Sequence, residues 1–139
     1  MAGKEELPHY KEKQAMLHGK EIRPEQLVEV GKRQLAAGWY SDAIDFFARA
    51  EYREGLEQVR RVAIEEGDVF LLRKILRAGA EEADDEQWQR LADNARRLGK
   101  LEFAREGYRL AGNRKALDEV DRMINPPPEE PVEASYDEE

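Results

Sequence analysis

With 139 residues, 40% apolar and 39% charged, the chain suffices for one domain with a thin core. It has no cysteine, which excludes disulfides, thiolate zinc sites and cysteine nucleophiles. Six units of the net charge of −8 fall on residues 125–139, where Glu129, Glu130, Glu133, Asp137, Glu138 and Glu139 meet no Lys or Arg, so residues 1–124 carry only −2.

No apolar run approaches the roughly 20 residues that span a bilayer. The opening MAGKEELPHYKEK also lacks the apolar segment of a signal peptide. The expectation is a chain with no membrane partner, in the cytoplasm by default. Residues 1–23 read as a lead segment, either partly flexible or forming one short helix that Pro8 opens and Gly19 ends. Pro24 fits the first turn of a helix, where its missing N–H is no loss.

From there glycine punctuates the chain. Gly38, Gly67, Gly79, Gly99 and Gly112 each follow an apolar-periodic run, and each suits a left-handed helix stop. The predicted helices are 24–37, 40–51, 53–66, 68–78, 84–98, 100–111 and 113–124. Asp68 and Asn113 are placed to cap their helices, and Asp84 with Gln87 reads as a capping box. The connections are short, so consecutive helices are expected to pair as antiparallel hairpins. No stretch alternates as a strand with turn chemistry. The fold class is therefore all-α, with about seven helices over 24–124. The prolines after Asn125 stop the last helix, and 125–139 is expected to be a disordered, Pro-rich acidic tail.

The chain aligns with itself at an offset of 61 residues without a gap. Gly38 falls on Gly99, Ala43 on Ala104, Phe47 on Tyr108, Ala50 on Ala111, Leu56 on Leu117 and Leu27 on Trp88. Small residues mark where helix backbones approach, and aromatics fill the wider gaps between them.

These residues resemble tetratricopeptide-type helical repeats. One copy carries Leu27-x-x-Val30-Gly31, then Gly38, Tyr40, Ala43, Phe47 and Ala50. The other carries Trp88-x-x-Leu91-Ala92, then Gly99, Leu101, Ala104, Tyr108 and Ala111. The proline that ends the family's motif is missing, and in the middle hairpin, 53–78, Leu72 replaces the small alanine. A coatomer- or clathrin-type α-solenoid is the second resemblance. Either implies a short right-handed α-solenoid that serves as an interaction scaffold without catalysis.

The resemblance also implies that the first helix of each hairpin lines a concave surface that holds a partner protein or peptide. Lys32, Arg61, Arg90, Asn94 and Arg97 are the candidate groove residues there. The family's carboxylate clamp of Lys and Asn is not reproduced, Asn94 being the only Asn on those helices.

A second candidate is the basic stretch 96–115, with Arg96, Arg97, Lys100, Arg105, Arg109, Arg114 and Lys115. It could hold nucleic acid or another anionic ligand. The plainer reading is a solvated face in which Glu102 pairs with Arg105 and Glu106 with Arg109. Nucleic acid is the weaker alternative, because aromatics for base stacking are few. Self-association stays open, because terminal repeats expose apolar faces unless capped, and residues 1–22 and helix 113–124 are the obvious caps.

His9 and His18 do not share a helical face, so they suggest no metal site. The acidic run at 81–87 reads as helix capping, because it lacks the ligand spacing of a calcium loop. No phosphate loop, dinucleotide fingerprint or serine-hydrolase motif occurs. Neither an enzyme nor a cofactor is expected.

Overall fold

The computed structural model describes residues 9–19 and 22–129. Among these residues the chain is all-α: α1 (Tyr10–His18), α2 (Pro24–Ala36), α3 (Tyr40–Arg49), α4 (Arg53–Glu66), α5 (Val69–Arg77), α6 (Asp85–Arg97), α7 (Leu101–Ala111) and α8 (Arg114–Ile124). The seven expected helices are present, most of them one or two residues shorter. The eighth is α1, which realises the short-helix alternative for the lead segment. Residues 1–8, 20–21 and 130–139, which include much of that segment and most of the acidic tail, fall outside the described residues.

The stops form as the glycine pattern implies. Gly38, Gly67, Gly79, Gly99 and Gly112 all have positive φ. At the helix starts, the Asp68 side chain accepts from Leu71 N at 3.0 Å and Asn113 Oδ1 accepts from Ala116 N at 3.0 Å. Asp84 accepts from Gln87 N at 2.8 Å, but Gln87 does not complete the box, because its Oε1 instead accepts from Arg60 at 3.1 Å. The reciprocal bond appears at α2, where Arg23 N donates to Gln26 Oε1 at 3.1 Å.

Packing follows the hairpins. Helix α2 pairs with α3, α4 with α5, and α6 with α7, while α4 touches both α2 and α6, and α5 touches both α3 and α7. Two layers result, α2, α4 and α6 in one and α3, α5 and α7 in the other. Helix α1 adds to the second layer against α3. There Leu17 is buried with Leu27, Val30 and Phe46, and Arg49 Nε donates to Leu17 O at 2.8 Å. Lys13 is ion-paired with Asp42 and with Asp45, the latter at 2.8 Å. Burial works against the Lys13 charge, yet the two carboxylates outweigh it and raise its pKa. Helix α8 closes the far end against α7.

The small residues of the repeat lie where backbones meet. Ala43 and Ala104 are fully buried. The Phe47 ring sits between two glycines of neighbouring helices, Gly31 on α2 and Gly55 on α4, either of which would bring a Cβ to 2.5 Å from it. In the second copy the equivalents Ala92 and Ala116 share a buried cluster with Tyr108.

One repeat position breaks a backbone rule. Glu51 has φ 54, and its equivalent in the second copy is Gly112, with φ 75. A side chain in the left-handed region is strained by roughly 1–2 kcal/mol. Glu51→Gly should therefore stabilise the fold by about 1 kcal/mol, after allowing for the freedom glycine adds to the unfolded chain. Guanidinium unfolding would register this as a higher midpoint at unchanged slope, and an unchanged or lower midpoint would refute it.

Candidate functional site

The core stripe of each first helix leaves an opposite stripe outward. On α4, Leu56, Val59, Ala63 and Ile64 are buried, whereas Gln58, Arg61 and Glu65 are exposed. On α6, Trp88, Leu91, Ala92 and Ala95 are buried, whereas Glu86, Arg90, Asp93 and Arg97 are exposed. Asn94 Nδ2 donates to Ile64 O at 2.8 Å. That bond ties α6 to the end of α4, and each of these helices carries an exposed arginine, Arg61 and Arg90.

The five candidate groove residues differ in what they are free to do. Arg61 and Arg90 are exposed and meet no acceptor among the described residues. Lys32 lies over the Tyr52 ring, 5.6 Å from its centroid, a cation–π contact that leaves the ammonium open to solvent. Asn94 braces α6 against the end of α4 through its amide, and its Oδ1 accepts from Arg97 at 3.3 Å. Its donor group is therefore engaged within the fold. The charges nearby are mixed. Asp93 accepts from Tyr108 Oη at 2.5 Å and from Gln89 at 3.2 Å, while Glu65 has no partner among the described residues.

The basic stretch is largely neutralised. Arg105 pairs with Glu102 at 2.9 Å and Arg109 with Glu106 at 2.7 Å, both at the spacing read from the sequence. Helix α8 supplies further carboxylates: Glu119 meets Arg96 at 3.0 Å, Asp121 meets Arg105 at 3.6 Å and Asp118 meets Arg114 at 3.5 Å. Lys100 Nζ donates to Glu66 O at 2.7 Å and so caps the end of α4. Lys115 alone in that set has no partner among the described residues. Arg109, and more weakly Arg73, hold the Glu106 carboxyl well below its usual range, at about 2 against the opposing effect of burial. Hydrogen bonding to Glu119 and to Tyr108 raises the Arg96 pKa. These cations belong to intramolecular pairs spread over α6, α7 and α8.

Sequence reasoning missed Arg60. It is only 5% exposed, and its guanidinium meets Glu57 at 3.1 Å, Gln87 Oε1 at 3.1 Å and the Glu81 carbonyl. The signal was present, because Arg60 stands midway between Leu56 and Ile64 at i,i+4 spacing on the buried stripe. Such a cation fixes the α5–α6 connection to α4, and it is not available to a ligand.

Among the described residues no three His, Asp or Glu side chains gather as metal ligands, and His9 and His18 lie at opposite ends of α1. No helix of the described residues is long and apolar enough to cross a membrane. No family model matches the chain, and neither a curated protein nor a solved structure does.

Proposed function

We propose that the chain is a non-catalytic adaptor of tetratricopeptide-like type that binds a partner protein or peptide on the face of α2, α4 and α6 turned away from the core, the concave face that the resemblance implies. The observation that carries this reading is a contrast in pairing. Arg61 and Arg90 stand exposed and unmatched among the described residues, whereas the cations of 96–115 are mostly consumed by carboxylates and backbone carbonyls. Unpaired guanidiniums on a rigid helical face favour bidentate contact with the carboxylates of a partner. Rigid placement also lowers the ordering cost of association. The stacked hairpins hold Arg61 and Arg90 on adjacent parallel helices, as recognition of a protein segment requires.

The test is affinity capture of binding proteins with the full chain as bait. The triple variant Arg61→Glu, Arg90→Glu, Arg97→Glu is expected to lose capture while keeping its helical circular dichroism. Arg105→Glu with Arg109→Glu, placed on α7, is expected to retain it. Equal capture by the parent chain and the triple variant would refute the assignment of this face.

A further inference from the structure

On the other layer a groove runs between α3 and α5. One cleft, of about 510 Å³, is lined by Leu17, Ile44, Ala48 and Ala78, with His18, Arg49, Lys74 and Arg77 on its rim. A second, of about 250 Å³, continues from the same Ala48 and Ala78 past Leu56 and Ala80 to Arg53. Because the two share both alanines, they form one trough. The first cleft is mostly apolar and the second more polar, and the small side chains of Ala48, Ala78 and Ala80 leave room there for an extended backbone.

The rim is cationic on balance. Arg53 and Arg77 meet no acceptor among the described residues. Arg49 uses only its Nε, on the Leu17 carbonyl. Of the two lining carboxylates, Asp45 is already held by Lys13 at 2.8 Å and by Lys74 at 3.0 Å. The other, Glu51, opposes Arg53 at the far end. The first turn of α4 begins there at Arg53, and no side chain caps it, so its free N–H groups add to the positive field.

The sequence contains a segment that fits this chemistry. Residues 129–139 carry six carboxylates and no cation, interleaved with Val132, Ala134 and Tyr136. We propose that the α3–α5 trough receives the 129–139 segment of a second copy of the chain, the carboxylates against Arg53, Arg77 and Arg49 and the apolar side chains on the alanine floor. The supply comes from a second copy because of reach. Helix α8 ends on the edge of the stack where α4 and α6 end, and the trough opens on the edge where α3 and α5 end. Crossing takes one helix length, about 16 Å for eleven residues, and two helix spacings of roughly 8–10 Å. Only residues 125–128 lie between the end of α8 and the segment, and four extended residues span at most about 14 Å, so 129–139 cannot lie along the trough of its own chain. This surface is distinct from the outer face of α2, α4 and α6 and does not depend on it.

The test is sedimentation equilibrium of the full chain at roughly 50 mM and roughly 500 mM salt, on either side of strong screening. The parent chain is expected to gain mass with concentration at low salt and to lose the effect at high salt. Arg53→Glu with Arg77→Glu should weaken association about tenfold or more, as should Asp137→Lys with Glu138→Lys, because like charges then face each other. Mixing the two variants should restore association, since reversed groove then meets reversed tail. The tail variant lies outside the helices, so it reads the contact even if the groove variant folds poorly. A parent chain that stays monomeric at low salt overturns the proposal. So does association that survives the groove reversal in a folded protein. Association lost on Arg61→Glu with Arg90→Glu but kept on the groove reversal would place the segment on the outer face and overturn it equally.

Discussion

Gly55→Ala is expected to destabilise the fold by about 3 kcal/mol, the opposite sign from the same change in an ordinary exposed helix. The new Cβ would lie 2.5 Å from both Cγ and Cδ2 of Phe47. The ring cannot retreat. Its other side lies against Gly31, where an added Cβ would likewise meet Cε1 at 2.5 Å, and Phe47 is fully buried. Tyr52 closes on it as well, with ring centroids 5.5 Å apart. The cost is therefore overpacking on a ring held from several directions. A double-mutant cycle isolates the cause. Phe47→Leu loses core contacts on its own, but combined with Gly55→Ala it should recover at least about 1 kcal/mol relative to the sum of the single changes. If Gly55→Ala were neutral, or the two costs simply added, the ring would not be the constraint.

Much of this was legible beforehand. The five left-handed glycines follow from the ends of apolar periodicity, and the buried alanines Ala43 and Ala104 follow from the repeat. Four features were missed. Position 60 carries a charged residue, and charge alone assigns arginine to solvent; only its spacing from Leu56 and Ile64 reveals the buried stripe. The docking of α1 depends on Lys13 meeting Asp42 and Asp45, residues about thirty positions apart, which no local pattern brings together. The pairing of Arg96 and Arg105 between helices depends on Glu119 and Asp121, which α8 supplies from beyond the stretch. Local spacing found the pairs on α7 itself and could not find those between helices. The same limit applies to Asn94. It reads as a free amide on an outer stripe until the approach of α4 places the Ile64 carbonyl against it.

Gly67→Ala should be the costliest single methyl in the molecule, about 4 kcal/mol, and Gly99→Ala provides its control. Both glycines end a first helix, and both have positive φ, 66 for Gly67 and 79 for Gly99. Backbone strain alone therefore predicts similar losses of roughly 1–2 kcal/mol. Their surroundings differ. A Cβ on Gly99 would meet nothing within 4 Å, whereas one on Gly67 would lie 2.5 Å from the N and Cα atoms of Ala95. A flexible side chain could swing away, but the backbone of α6 cannot move without shifting the whole helix. That shift would pull on two bonds across the same junction, Asn94 to Ile64 O and Lys100 to Glu66 O. Because α4 and α6 join neighbouring hairpins, the damage should be directional. Amide exchange is expected to accelerate more in α6, α7 and α8 than in α2 and α3. Guanidinium unfolding of the two variants side by side decides the matter: equal losses would mean that close approach of α6 to Gly67 contributes nothing beyond the turn itself, and that the hairpins are held together elsewhere.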